Sequence, residues 1–497
     1  MFAGFFFINP RQETKPLSFF KGALQLLYMP LKLYNSLTKR KEAVRPSDGK
    51  AVRIYSCGPT VYGDPHIGNL RAFAASDLLR RYLKYRGFKV KHVMNLTDVD
   101  DKTIRNSQRK GTSLKEYTER YKKAFFRDID ALNMERVEVY PEATKHIPQM
   151  VRLVQTLLEK GYAYRGKDGC IYYDISKFRG YGKLSHLKLS GLRAGARVKH
   201  DEYDKAHASD FALWKAWTPE DGEVFWETPL GKGRPGWHVE CSAMSMHYLG
   251  PTLDLHTGGI DLLFPHHENE IAQSEAATGK PFVLHWFHNG HLIAEGRKMS
   301  KSLGNFYTLR DLEADPLAVR YVLLSAHYRQ KLDFSRGKVE EAVGVISRLK
   351  ELVRNLQGVS YGKVKEAVSS KLANETEKAF IKSMDDDLDI AQALAAVFEL
   401  ARKSNQLISG RKLGEAGAGR ILKTLQGFDS VLGLRLFEID EWLSMSKAGP
   451  GIRKLMEERE ALRKRKDWKE ADRIRDALKR KGVILEDTPE GPRWRKA

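Results

Sequence analysis

The residues best equipped for chemistry lie between positions 236 and 270, from Gly236-Trp237-His238-Val239-Glu240-Cys241 to Phe264-Pro265-His266-His267-Glu268-Asn269-Glu270. Proline suits the first position of a helix, where its missing N–H would go unpaired anyway. A helix opened by Pro265 and closed at Gly279 places His266 and Glu270 four residues apart on one face. An imidazole and a carboxylate at that spacing can share a metal, Cys241 offers a thiolate, and Cys57 could supply another. A Cys, Cys, His, Glu set favours zinc over magnesium or calcium. Each of the four, taken singly, is more often a satisfied core residue than a ligand. The stretch is not His-Glu-x-x-His, so the zinc-protease helix is excluded.

The totals narrow the setting. A chain of 497 residues exceeds one core, which predicts three or four domains. With 42% hydrophobic and 30% charged residues it reads as globular and soluble. A formal net charge of +22 suggests a polyanionic partner. Nucleic acid suits better than membrane, because no stretch approaches the roughly 20 apolar residues of a spanning helix. A merely well-solvated basic surface is the plain alternative. Three cysteines, Cys57, Cys170 and Cys241, make no disulfide framework and fit a reducing compartment. Cys170 reads as an ordinary buried strand residue.

The elements that must position these groups follow in order. Residues 1–29 stand apart: the apolar run 2–8 precedes most of the basic residues, the reverse of a secretory signal. An organelle address and a read-through upstream of a true start at Met29 are both open. Residues 50–55 alternate into a strand, followed by Cys57-Gly58-Pro59-Thr60-Val61-Tyr62-Gly63-Asp64-Pro65. His66-Ile67-Gly68-Asn69 then opens a helix whose apolar positions Leu70, Phe73, Leu78, Tyr82 and Leu83 keep helical spacing up to Gly87. A second strand over 88–96 completes a βαβ unit, which binds ligands at the carboxyl ends of its strands. The helix start offers unpaired N–H groups to phosphate, and His66 adds a donor. Residues 114–160 are largely helical, and 161–235 read as an insertion rich in Gly, Tyr and short strands. The sheet resumes near Leu253 and over 282–289. Next comes Gly296-Arg297-Lys298-Met299-Ser300-Lys301-Ser302-Leu303-Gly304, a cationic loop suited to clamping a triphosphate.

Lys298-Met299-Ser300-Lys301-Ser302 matches the KMSKS motif of class I aminoacyl-tRNA synthetases, and His66-Ile67-Gly68-Asn69 resembles their HIGH motif with Asn last. Cys57-Gly58-Pro59-Thr60-Val61-Tyr62, Trp237-His238-Val239-Glu240-Cys241-Ser242-Ala243-Met244 and the Phe264-to-Glu270 stretch resemble the cysteinyl-tRNA synthetases in particular, from about Leu31 onward. The resemblance implies an α/β fold with a Rossmann-like catalytic domain in two halves (31–143 and 236–310) around a connective insertion (144–235). It further implies a stem-contact region (311–349), a helical tRNA-binding bundle (350–447) and a small C-terminal α/β anticodon-binding module (448–497), with 1–30 an unmatched extension. Cys57, Cys241, His266 and Glu270 fall on the family's zinc ligands, one Zn2+ per chain. Gly58, Thr97 and Trp237 fall on its cysteine pocket. His66, Gly68, Asn69, Lys298 and Lys301 fall on its ATP site, ATP being carried with Mg2+. An Asn can donate a hydrogen bond but cannot become cationic as the motif's final His can.

The implied activity is ATP-dependent attachment of L-cysteine to tRNA(Cys) through cysteinyl-adenylate, by a cytoplasmic monomer. Zinc would take the substrate's sulfur. A shape-based pocket separates close analogues by only roughly 10- to 200-fold, whereas a thiol of pKa about 8.5 ionises on zinc far more readily than a serine hydroxyl. Ser383-Met384-Asp385-Asp386-Asp387-Leu388 resembles the start of the family's helical bundle, and its acidic run reads as a helix start and solvated turn. Arg463, Trp468, Asp472 and Asp487 match anticodon-reading positions, where Arg and Trp suit stacking on bases and Asp can accept from guanine. Three rivals remain: a ligase passing activated cysteine to an amino sugar, which would lack the tail, a catalytically dead RNA-binding protein, and a zinc hydrolase.

Overall fold

The computed structural model describes residues 30–187, 210–299, 303–360, 366–438, 443–444, 449–488 and 491–496. The expectations for residues 1–29 and for Lys301 lie outside them. The chain divides into two compact units, residues 1–434 and 435–497.

The first unit is built on four parallel strands: β1 (Val52–Ser56), β2 (Val90–Met94), β3 (Leu253–Gly259) and β4 (Val283–Asn289). Their order across the sheet is β4-β3-β1-β2. β1 pairs with β2 over its whole length and with β3 through Ile54, Tyr55 and Ser56. The chain leaves β1 towards one edge of the sheet and returns at β3 towards the other. The carboxyl ends of β1 and β3 therefore flank a topological switch point, where such sheets hold their ligands.

The helix Ile67–Tyr85 connects β1 to β2 and buries Leu70, Phe73, Leu78, Tyr82 and Leu83, as their spacing predicts. Its start is fixed locally. The Asn69 N–H donates to His66 Nδ1 and the His66 N–H donates to Asn69 Oδ1, a reciprocal capping box. Asn in the last place of the motif thus closes the helix start.

The insertion holds a four-stranded antiparallel sheet of Ala163–Arg165, Ile171–Tyr173, Phe211–Ala216 and Gly233–Pro235. Its last strand delivers the helix Trp237–Leu249 through Gly236. A Cβ on Gly236 would lie 2.0 Å from the Ala212 carbonyl oxygen, so only glycine fits this crossing. Cys170 differs from expectation: it is half-buried, precedes its strand, and its Sγ accepts from the Ala216 N–H. It closes the turn that leads into an interior strand of that sheet.

Helices Arg336–Gln357, Ala367–Asp385, Ile390–Ser409 and Glu415–Leu432 make up most of the remainder of this unit. The acidic run at 385–387 corrects the expectation of a solvated turn. Asp387 is fully buried and accepts from Tyr34 N–H, Tyr328 O–H and Arg329 Nε. Asp385, also buried, accepts from Tyr82 O–H at 2.7 Å and pairs with Arg86. Only Asp386 is exposed, paired with Lys41. The run clamps the bundle onto the antiparallel hairpin of Lys32–Asn35 and Arg40–Ala43 and onto the helix Ile67–Tyr85. No helix among the described residues is long and apolar enough to cross a membrane.

The second unit packs helices Pro450–Lys464 and Trp468–Arg480 against an antiparallel sheet of Leu443–Ser444, Val483–Thr488 and Gly491–Lys496. Met456, Ile474, Leu478, Val483, Leu485 and Trp494 form its core.

Candidate active site and metal centre

The switch point gathers the predicted donors from three separate pieces of chain. Cys57 follows β1 directly, and its N–H donates to the Thr257 carbonyl of β3. Cys241 sits one turn into the helix Trp237–Leu249. His266 and Glu270 come from the segment after β3. There Phe264 is extended (φ −137°, ψ 131°), a kinked turn spans Leu263–His267, and the regular helix runs Glu268–Thr278 with Gly279 left-handed at its end. Pro265 opens the helical stretch through that turn, and His266 Nε2 lies 3.1 Å from Glu270 Oε1.

Cys57, Cys241, His266 and Glu270 each turn one donor atom to a common point, all within 4.8 Å of one another. The two sulfurs are 3.9 Å apart. Among the described residues a second set, Cys57, His256, His267 and Glu270, meets the same limit and shares two members with the first. Two thiols, an imidazole and a carboxylate form a donor set that fits zinc.

The electrostatics ready two of the four donors, Cys241 and Glu270, for a metal, whereas Cys57 and His266 are held protonated and would release a proton on binding it. A hydrogen bond from Cys57 pulls the Cys241 thiol down to about 6, while burial pushes the Cys57 thiol well up. Burial opposes charge on Glu270, yet His256 and His266 outweigh it and hold the carboxyl at about 2. Burial likewise disfavours the His266 cation, but Cys241 and Glu270 lift that imidazole to about 10.

Sequence reasoning missed a layer of histidines behind these donors. His256 Nε2 lies 3.0 Å from Glu270 Oε2. His238 Nδ1 lies 2.9 Å from His266 Nδ1, and the Trp237 ring covers His266 at 4.1 Å. His267 lies 3.3 Å from Cys57 Sγ and is hydrogen-bonded behind to His288, which bonds Ser36. Burial drives His238, His267 and His288 towards the neutral form, the last to about 3. The available signal was period two on the strands: His256 and Gly258 alternate along β3, and Trp286 and His288 along β4.

The pocket residues lie beside this cluster. The Gly58 N–H donates to Asn95 Oδ1, and a Cβ there would meet the Asn95 carbonyl oxygen at 1.7 Å. Thr97 pairs with the same loop, its N–H on the Pro59 carbonyl and its own carbonyl taking the Val61 N–H. Thr97 Oγ1 donates to Glu240 Oε2 at 3.1 Å, and Glu240 is fully buried. Burial, then Cys241, Asp100 and Asp98, hold the Glu240 carboxyl well above its ordinary range.

The two nucleotide motifs come together. His66 pairs across to Thr308, the Ile67 N–H donates to the Tyr307 carbonyl, and the His66 ring packs on Phe306. A Cβ on Gly68 would touch Met299 Cε at 3.3 Å, so the loop carrying Lys298 reaches the start of the helix. Lys298 is exposed and its carbonyl accepts from buried Asn305.

The sequence model described as the tRNA synthetases class I (C) catalytic domain matches residues 43–344. The chain belongs to that family. A DALR domain model matches residues 379–437, and a cysteinyl-tRNA ligase anticodon binding domain model matches 446–495. A protein of Protochlamydia amoebophila named cysteine–tRNA ligase is 45% identical over 478 residues, covering 94% of this chain and 98% of its own. One of Solibacter usitatus with the same name is 46% identical over 475 residues, covering 94% and 100%. Among solved structures, Mycobacterium tuberculosis methionyl-tRNA synthetase superposes with a TM-score of 0.56 at 16% identity, over 78% of this chain and 90% of that one. The leucyl enzyme of Agrobacterium radiobacter K84 gives 0.58 at 12%, over 79% and 85%. The fold is that of the class I synthetases.

The anticodon-matching residues all lie in the second unit. Trp468 is exposed, with the Arg463 guanidinium 5.9 Å from its ring centre, and Asp472 is exposed. Asp487 differs from a residue waiting for a base. Both its oxygens are engaged by Arg459, at 2.7 and 2.8 Å, and Arg463 pairs with it as well.

Proposed function

We propose that the chain is a cysteine–tRNA ligase. It converts L-cysteine and ATP to cysteinyl-adenylate and pyrophosphate, then passes the cysteinyl group to the 3′ end of tRNA(Cys) and releases AMP. The observation that carries this reading is the two-sulfur donor set on a class I (C) catalytic sheet, beside two stretches that would bind phosphate. The reaction would run in the cytoplasm, on a monomer.

Cys57, Cys241, His266 and Glu270 would hold zinc. Bound there, zinc supplies a soft ligand position that favours an ionised thiol over a hydroxyl. Around it, Gly58, Thr97 and Trp237 would line the cysteine pocket. ATP, with Mg2+, would lie across Gly68 at the start of the helix Ile67–Tyr85, whose positive dipole end favours phosphate. With Nδ1 accepting from Asn69 N–H, a neutral His66 carries its proton on Nε2, a donor for charge developing on the α-phosphate. The Asn69 amide donates as well, and Lys298 and Lys301 would bring positive charge from the loop. The cysteine carboxylate then attacks the α-phosphorus, and pyrophosphate leaves.

The match of residues 446–495 to an anticodon-binding domain supports tRNA, rather than an amino sugar, as acceptor. Residues 31–143 and 236–310 would do the chemistry around the insertion 144–235. Residues 311–349 would contact the stem, 350–447 would pack on tRNA, and 448–497 would read the anticodon through Arg463, Trp468, Asp472 and Asp487. The test is charging of total tRNA with labelled cysteine and, separately, labelled serine. Charging by cysteine alone is expected. Equal use of serine, or transfer to an amino sugar and not to tRNA, would overturn the reading.

A further inference from the structure

A one-way chain of hydrogen bonds runs behind the pocket. The Gly58 N–H donates to Asn95 Oδ1 at 2.9 Å. A backbone N–H can only donate, so this bond fixes which end of the Asn95 amide faces Gly58. The amide nitrogen, which also can only donate, reaches Thr97 Oγ1 at 3.0 Å. Thr97 is left to give its own proton to Glu240 Oε2 at 3.1 Å. Every link donates forward, and the chain ends in acceptors: one lone pair on Thr97 and the second carboxyl oxygen of Glu240.

That second oxygen, Glu240 Oε1, is buried and has no hydrogen-bond partner among the described residues. A buried oxygen without a partner costs about 1–3 kcal/mol, and such exceptions in a native fold call for a reason. The wall therefore offers acceptors. It also stands beside the donor cluster, because Glu240 precedes Cys241 and Thr97 pairs with the loop that carries Cys57 and Gly58. The sulfur and the α-nitrogen of cysteine are separated by two carbons. A sulfur held at the cluster brings the α-ammonium, with three donors and no acceptor, to this wall.

We propose that Glu240 is a specificity-determining positioning residue: acting through Thr97, it makes the pocket demand an α-ammonium on the thiol substrate. The inference rests on the reading of this pocket as the cysteine site. Asn95 acts with it by holding the Thr97 hydroxyl in the orientation that keeps its lone pair for the substrate.

Three thiols separate this role from a structural one. Cysteine carries amine and carboxylate, cysteamine lacks the carboxylate, and 3-mercaptopropionate lacks the amine. The full-length, zinc-loaded protein and its Glu240→Gln, Thr97→Val and Thr97→Ser variants are assayed by ATP–pyrophosphate exchange, with the two analogues as inhibitors and bound metal measured alongside. A charge-assisted hydrogen bond corresponds to about a 10- to 100-fold effect. Glu240→Gln and Thr97→Val should raise the KM for cysteine and the inhibition constant of cysteamine by that factor. Inhibition by 3-mercaptopropionate, the KM for ATP and the zinc content should stay within about twofold, and Thr97→Ser should restore cysteine binding. Equal weakening of all three thiols, or of none, would overturn the proposal. If Glu240→Gln does not fold, Thr97→Val gives the same comparison. Absence of cysteine-dependent exchange in the unaltered protein would instead overturn the cysteine reading, and this inference with it.

Discussion

The donor cluster at the switch point and the helical hairpin of the second unit solve opposite problems. In the cluster, His256, His267 and Glu270 have no exposed surface, and each is held by a further buried group. In the second unit, Trp468 is 58% exposed and its neighbours are charged side chains in contact with water. Discriminating one small molecule from its close analogues needs dry, over-determined donors, because desolvation is what gives each contact its energy. Reading a polymer needs flat and charged groups left in the open, where bases can stack. The cluster should therefore be intolerant of single changes, and the second unit should be graded.

The largest effect expected is at Cys241, which belongs to one of the two overlapping donor sets only. Cys241→Ser should lower metal affinity by well over the roughly 10- to 100-fold that loss of an outer partner costs. Titration with a chromogenic chelator measures it. Retention of metal by Cys241→Ser, with loss in His267→Ala, would move the centre to the other set.

Next comes the buried hub of the first unit. Asp387→Ala would leave the buried Tyr328 hydroxyl without its acceptor and take a partner from exposed Arg329, a loss of about 1–3 kcal/mol. Denaturant unfolding of the full chain should show a lower midpoint for the transition that includes the bundle. An unchanged midpoint would mean the acidic run is not the clamp described.

His256→Ala removes the group behind Glu270 without removing a donor of the first set. Metal affinity should fall about 10- to 100-fold, with cysteine-dependent exchange recovering at high zinc. Failure to recover would make His256 part of the centre itself.

The smallest change belongs to the exposed surface. Trp468→Ala should leave ATP–pyrophosphate exchange intact and weaken tRNA binding by about 1–3 kcal/mol, the worth of one stacked base. Filter binding with matched and altered anticodons reads this directly. A loss shared equally by all anticodons would assign Trp468 a role in general affinity. Asp487→Asn should act differently, because it releases Arg459 and Arg463 from their pairing.

How much was legible in the sequence follows from the range of the forces involved. The capping box at His66 and Asn69, the apolar face of the helix behind it, and the pairing of His266 with Glu270 involve residues at most a few turns apart. Local spacing predicts such contacts. The four donors were legible for a second reason: cysteine, histidine and glutamate are chemically distinctive, so their types narrowed the metal before any geometry was known. Boundaries fared less well, as with Cys170, because the last residue of a turn and the first of a strand share one composition.

Only the tertiary structure decided the rest. Cys57 and Cys241 are 184 positions apart and meet because the helix Trp237–Leu249 packs against β1. His256 on β3 lies behind Glu270 of the helix that follows that strand, and β4 beside β3 sets His288 behind His267. An acidic run such as 385–387 has a solvated composition, and nothing within it foretells that Arg329, Tyr328 and Tyr34 will close over Asp387. Glu240 likewise reads as one charged position in a helix until Thr97 is packed against it. The sequence by itself determined which groups this protein has for binding sulfur and phosphate, because side-chain chemistry is carried by each residue alone. Folding decided which of its charges are buried, because burial depends on what distant segments place on top of them.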